Sequence, residues 1–339
     1  MKPTMKTIAI ACALAAGSLL DHANAVGAPA AAVSDEEFSA YELVAGKRTS
    51  REECEATADA VWVEHSEGTE CIRYYPSSNV AGARRAAFYF HGDLLEGKLV
   101  IAGAYRDNRA SVQRKAAESL ARLNGVPYIV VARPGAYGSS GLHTERRRLK
   151  EYLSLNAALD AIKARYGLEE IHLAGQSGGA TTVGALLTLG RTDVVCAAAS
   201  SGGYDALARA RDIAMQTSQT WRGCDSHGIC NVYNVTDHVD GVAKSSRTRI
   251  FVIGDPTDTN TAFRYQAAFA EKLQAAGHRV SLLEGKAGGP QHHHLAFMAN
   301  RVVGWCNAGF DDARIAGLVQ EGAPALHAAK PKAVKTGDH

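Results

Sequence analysis

Residues Ile171-His172-Leu173-Ala174-Gly175-Gln176-Ser177-Gly178-Gly179-Ala180 form an apolar run of strand character that enters Gly-x-Ser-x-Gly and then a small-residue stretch of helical character. That pattern suits a strained strand-to-helix turn. Glycines on both sides of the serine let the backbone reverse tightly and project its Oγ. Ser177 is therefore the candidate nucleophile. A serine hydroxyl is too weakly acidic to attack unaided, so a histidine base and an orienting carboxylate are expected further along the chain.

Around this turn, short apolar or β-branched runs at 86–90, 128–132, 171–174, 194–199, 250–253 and 280–283 alternate with helical patterns. Buried parallel strands read as continuous apolar runs and need helical crossovers. The alternation thus predicts an α/β fold with a mostly parallel central sheet and helices on both faces. Leu149, Tyr152, Leu155, Leu159, Ile162 and Tyr166 recur at three- and four-residue spacing, which puts an apolar stripe on a helix that Gly167 ends. Val112, Ala116, Leu120 and Leu123 do the same before Gly125, as does 263–273 before Gly277. Val61–His65 and Glu70–Tyr75 flank Ser-Glu-Gly-Thr and predict an antiparallel hairpin. The stretch 204–247 breaks the rhythm and reads as a small cap insertion over the carboxyl edge of the sheet.

With these motifs in chain order, the sequence resembles the α/β-hydrolase superfamily from about residue 60 to residue 308, in its prolyl-oligopeptidase-like and dienelactone-hydrolase-like branch. Phe88-Tyr89-Phe90-His91-Gly92-Asp93 looks like the His-Gly loop after the third strand, and Arg133-Pro134-Gly135-Ala136-Tyr137-Gly138-Ser139-Ser140-Gly141 like the loop after the fourth. By that resemblance the backbone N–H groups of Asp93 and Gly178 form an oxyanion hole, fixed dipoles placed where negative charge develops. His91 would shape the loop rather than act as a base.

The family order is Ser, acid, His. In Gly254-Asp255-Pro256-Thr257-Asp258-Thr259-Asn260, Asp258 is favoured because Asp258-Thr259-Asn260 resembles the family's Asp-x-Asn segment. The usual spacing from the glycine would land on Thr257, so Asp255 stands as the alternative acid, or as a turn carboxylate. In Gly288-Gly289-Pro290-Gln291-His292-His293-His294-Leu295, the resemblance favours His293 as base, then His292, and His294 last. Three consecutive histidines cannot easily face one ion, so no metal is expected, and an acyl-serine mechanism needs no cofactor. Arg146-Arg147-Arg148 and Lys150, with Glu145 and Glu151 beside them, read as a solvated helix face.

The 339 residues are 46% hydrophobic and 21% charged with a net charge of +2, which gives no electrostatic reason to bind nucleic acid. Lys2 and Lys6, the apolar run Ile8–Leu20 and Ala23-Asn24-Ala25 read as an export signal cleaved near Ala25, leaving no integral membrane segment. A periplasmic or secreted location is expected. Without Cys12, six cysteines remain, and disulfides are the default in such a compartment. Close pairs Cys54/Cys71 and Cys224/Cys230 would leave Cys196 with Cys306, although Cys196 sits in an apolar run where a buried thiol also fits. Residues 26–40 and 312–339 read as flexible ends flanking a domain at 41–311, and Asn234-Val235-Thr236 has the glycosylation pattern.

These readings converge on an exported serine hydrolase acting on a small-molecule ester or short peptide. Ester cleavage is favoured because the chain lacks room for the large propeller with which prolyl oligopeptidases select peptides. A small-peptide amidase or aminopeptidase, an acyltransferase, and a non-catalytic binding protein on the same scaffold are the alternatives, and an anionic pocket around Asp93 would favour a peptide amine.

Overall fold

A computed structural model describes residues 35–106 and 108–327. Short helices α1 (Ala40–Ala45) and α2 (Arg51–Ala56) precede the hairpin β1 (Ala60–His65) and β2 (Gly68–Pro76). After β3 (Arg85–Phe90) come a two-residue hairpin, β4 (Leu95–Glu96) with β5 (Leu99–Val100), and then α3 (Ala110–Asn124) and β6 (Tyr128–Val131). The rhythm continues through α4 (Leu149–Tyr166), β7 (Glu170–Gln176), α5 (Gly178–Thr188), β8 (Val194–Ser200) and α6 (Ala206–Gln216). It closes with β9 (Arg249–Gly254), α7 (Phe263–Ala275), β10 (Val280–Glu284), α8 (Met298–Asn307) and α9 (Asp312–Gln320).

The main sheet has eight strands in the order β1-β2-β6-β3-β7-β8-β9-β10. Only β1–β2 and β2–β6 pair antiparallel, so the sheet is mostly parallel, as expected. One face is covered by α4, α5 and α7, whose Tyr152, Leu155, Ile162, Val183, Leu186, Phe269 and Leu273 pack with Phe88, Leu173 and Val252. The other is covered by α3, α8 and α9 through Leu120, Val302, Trp305 and Ile315. Each of these large side chains contributes about 1.5–3 kcal/mol by leaving water. Gly125 and Gly167 end α3 and α4 in the left-handed conformation, as their sequence positions predict.

From β3 the chain crosses to β6 on one side, then returns to β7 on the other. The carboxyl ends of β3 and β7 therefore open on a crevice where the strand order reverses, the usual place for a ligand site in such sheets. Phe90–Asp93 and Ser177 lie at those two ends.

Several expectations need correction. Disulfides join Cys54 to Cys71 and Cys224 to Cys230, but Cys196 and Cys306 are free, buried thiols. Arg249 Nη1 donates to Cys306 Sγ at 3.4 Å, and the thiols serve as small packing groups between β8 and α8. The tail does not begin at 312: α9 occupies Asp312–Gln320, capped by Asp311, whose side chain accepts from Arg314 N, with Ile315 and Val319 buried at i, i+4. The N-terminal side is packed from Asp35 onward, where Phe38 is buried and Glu36 pairs with Arg73 at 2.5 Å. Asn234 is buried, its Nδ2 donating to Asp205 and Asp237, so it is not an exposed glycosylation acceptor. The signal sequence, residues 26–34 and those beyond 327 lie outside the described residues. Among the described residues no helix is long and apolar enough to cross a membrane.

Candidate active site

Ser177 sits between β7 and α5 with φ 56° and ψ −121°, a backbone conformation that costs about 1–3 kcal/mol for a residue with a side chain. The flanking glycines explain how the turn closes. A Cβ on Gly175 would collide with the Gly179 carbonyl, and one on Gly179 with the carbonyl of Phe90 at the end of β3. The turn is thereby pressed against the neighbouring strand, with Ser177 Oγ projecting from it.

His293 Nε2 lies 2.9 Å from Ser177 Oγ, and its Nδ1 lies 2.8 Å from Asp258 Oδ2. The other Asp258 oxygen accepts from the N–H groups of Asn260 and Thr261, both at 2.8 Å. A carboxylate held on one side by two amides and on the other by Nδ1–H fixes the imidazole with Nε2 facing the serine. The His293 carbonyl accepts from Gln176 Nε2 and Ser201 Oγ, which ties the histidine loop to the ends of β7 and β8.

The alternatives lie elsewhere. Asp255 Oδ1 accepts from the amide and hydroxyl of Thr257 and Oδ2 from Ala287 N at 2.7 Å, so it serves as a turn carboxylate. Those bonds hold its pKa below the usual range against the effect of burial. His292 and His294 are exposed, and His292 has φ 51°. Among the described residues no group of three or more His, Cys, Asp or Glu side chains is arranged to hold a metal ion.

Gly92 lies directly against the nucleophile, since a Cβ there would come within 3.4 Å of Ser177 Cβ. The Gly178 N–H opens α5, where the first amides have no intrahelical acceptor. His91 Nδ1–H donates to Gly92 O at 2.7 Å while Nε2 accepts from Arg133 N at 3.3 Å, so the ring is neutral and braces the loop. Burial and the nearby Arg133 push its pKa down to about 3. His143 adds a second brace, Nε2 accepting from Leu94 N at 3.3 Å.

Beneath the loop lies a charge network that buries Arg146, Glu151 and most of Arg147, residues that the sequence pattern places on a solvated helix face. The Asp93 side chain crosses over Gly178, where any Cβ would meet it. Arg133 Nη1 donates to Asp93 Oδ1 at 2.8 Å, Arg147 Nη2 reaches Oδ2 at 2.5 Å, and Arg146 Nε lies 3.3 Å from Oδ2. Arg133 Nε also pairs with Glu151 at 2.6 Å, and Arg147 Nη1 with Asp225 at 2.7 Å. The Arg133 and Arg146 side chains are fully buried. Burial opposes ionisation of Asp93, yet Arg147, Arg133 and Arg146 hold its carboxyl well below the usual range. The Asp93 carboxylate is thus neutralised by arginines and does not make the surrounding pocket anionic.

No protein-family model matches the chain, and no curated protein does. Among solved structures it is similar to an esterase of Pyrococcus furiosus, with 14% identity and a TM-score of 0.53 over 78% of this chain and 95% of the esterase. A second crystal form of that esterase gives 15% identity and a TM-score of 0.51. An acylaminoacyl peptidase of Pyrococcus horikoshii gives 14% identity and a TM-score of 0.50 over 76% of this chain, which spans only 43% of the peptidase. With the sheet order and the turn at Ser177, these likenesses define the α/β-hydrolase fold.

Proposed function

We propose that the protein is a serine hydrolase that cleaves a carboxylic ester through an acyl-enzyme. The observation that carries this reading is the hydrogen-bonded chain Ser177–His293–Asp258, drawn from three separate loops at one end of the sheet. As Ser177 Oγ attacks the carbonyl carbon, His293 Nε2 takes its proton, and Asp258 stabilises the imidazolium that forms. The N–H groups of Asp93 and Gly178 receive the oxyanion. Collapse of the tetrahedral intermediate breaks the bond to the alcohol, which leaves with the proton from Nε2. His293 then deprotonates a water that attacks the acyl-serine, and a second collapse releases the acid and returns the proton to Oγ.

Ester rather than amide cleavage is supported by the match along nearly the full length of the esterase, against less than half of the peptidase. The segment between β8 and β9, held to the Asp93 loop through Arg147 and Asp225, serves as the cap. Two disulfides and the signal-like N-terminus support action outside the cytoplasm.

The test is fluorophosphonate labelling of the mature protein, with intact mass to count adducts and Ser177→Ala as control. One adduct, absent from the control, is expected, with turnover of aryl esters exceeding that of matched anilides. A folded, disulfide-intact protein that takes up no probe and hydrolyses neither class would instead be a binding protein. The mass of the exported chain tests cleavage near Ala25.

A further inference from the structure

The Asp93 network borders a guanidinium that no carboxylate among the described residues pairs directly. Arg133, Arg146 and Arg147 are met by Asp93, Glu151 and Asp225, which balances them. Arg209, on the inner side of α6, adds a fourth guanidinium. Its Nε donates to Asn260 O at 2.9 Å and its Nη1 to Ser226 Oγ, but among the described residues it has no carboxylate partner. The titratable groups that face it are Arg147, Asp225, Tyr265 and Asp258. Burial, and then Arg147, lower its pKa, the direction expected of a cation set near another without an anion of its own. Burial and nearby arginines push the pKa values of His91 and His227 down to about 3 and about 4, so neither adds charge at pH 7.

The two arginines are tied to different loops of the triad site. Arg147 is joined through Asp93 to the loop over Gly178, next to Ser177. Arg209 is joined through Asn260 to the loop that carries Asp258, behind His293. Both belong to the side of the site walled by the segment between β8 and β9, since Asp225 and Ser226 are their partners there. Two further donors, Arg133 Nη2 and Arg147 Nε, are buried without a protein acceptor. A guanidinium left unpaired by carboxylates, near a second one and tied to the loop of the candidate acid, matches the planar two-oxygen geometry of a carboxylate.

We propose that the substrate cleaved at Ser177 carries a carboxylate, which is received between Arg209 and Arg147. This rests on the hydrolase reading above and names its substrate class: an acidic ester, not a neutral acyl chain.

Two matched ester pairs test it. Comparing 4-carboxyphenyl acetate with 4-carbamoylphenyl acetate puts the charge on the leaving group, whereas phenyl hydrogen adipate against phenyl hexanoate puts it on the acyl group. In at least one pair the anionic ester is expected to have a kcat/KM about tenfold higher, the worth of one charge-assisted contact. That ratio falls about fivefold or more in Arg209→Gln, is largely kept in Arg209→Lys, and declines with added salt. A ratio of one or below in both pairs, or one that Arg209→Gln leaves unmoved, overturns the proposal. Fluorophosphonate labelling of the unsubstituted protein separates the two readings. A labelled enzyme with no charge preference overturns the substrate class alone, whereas no labelling and no turnover overturn the hydrolase reading and this one with it.

Discussion

Replacing Asp93 by Asn tests the charge network beneath the oxyanion loop. The substitution keeps the size of the side chain but removes the one carboxylate that Arg133, Arg146 and Arg147 share. Glu151 and Asp225 keep their own partners, so two of the guanidiniums remain half-paired and Arg146 loses the one carboxylate it meets among the described residues. Breaking a buried pair costs about 3–5 kcal/mol because the remaining charge stays in a poorly solvated place. The lower end applies here, about 3 kcal/mol, because the amide still accepts a hydrogen bond and two arginines retain an anion. For a domain of this size that is roughly 6–12 °C in Tm. Urea unfolding followed by circular dichroism measures it, with Asp93→Asn/Arg147→Met as the companion. Deleting the repelled cation should recover part of the loss, so the double variant is expected to be more stable than the sum of the single effects by about 1 kcal/mol or more. Burial tends to raise the Asp93 pKa, but the arginines keep the folded value below the unfolded value of about 3.9. The unfolded chain then binds more protons in that window. The stabilisation is complete above the unfolded pKa and is lost as pH falls through the folded one. The gap between the two proteins should therefore be constant from about pH 5 to 8 and narrow only below about pH 4. A loss under about 0.5 kcal/mol with strictly additive single effects would refute the reasoning.

Other substitutions report on the triad and the staples. Ser177→Gly should abolish fluorophosphonate labelling while raising stability by about 1 kcal/mol, measured by urea unfolding, because the φ of 56° no longer carries a Cβ. His293→Ala is expected to cut kcat on an aryl ester by about 10³-fold or more, whereas the exposed His292→Ala stays within about twofold of the parent. Asp258→Asn should cost about 10³–10⁴ in kcat by favouring the wrong tautomer of His293, with little change in KM. Cys54→Ser/Cys71→Ser should lose about 3 kcal/mol in chemical unfolding, the closure entropy of its loop.

The sheet was readable in the sequence because its central parallel strands are buried on both faces and so appear as largely apolar runs, Tyr128–Val131 and Ile250–Ile253 among them, whereas the edge strand β10 is only partly buried. The turn at Ser177 was readable because its geometry admits few residue types. The sequence favoured Asp258 over Asp255 by its Asp-x-Asn likeness, and the local bonds from Thr257 suit the turn role open to Asp255, but the bond from Ala287 that also occupies Asp255 depends on where β10 ends. Arg146 and Arg147 were misread as solvent-facing because alternating charge is the local mark of an exposed helix. Their burial is imposed by Asp93, more than fifty residues before them, and for Arg147 also by Asp225, far downstream. Cys196 and Cys306 were paired by elimination, a count that takes no account of the guanidinium of Arg249 beside them. Helix α9 was overlooked because its buried contribution rests on two residues, Ile315 and Val319.

The hydrogen bond between Ser177 and His293 joins residues separated by 116 positions. A chain emerging from the ribosome therefore carries its nucleophile long before its base, and no fragment ending ahead of the histidine loop can assemble both. If the proposed chemistry holds, the protein stays inert through synthesis and acquires activity only as its C-terminal quarter docks. Cleavage within 286–296 would then silence it while leaving the strands and most of the core in place.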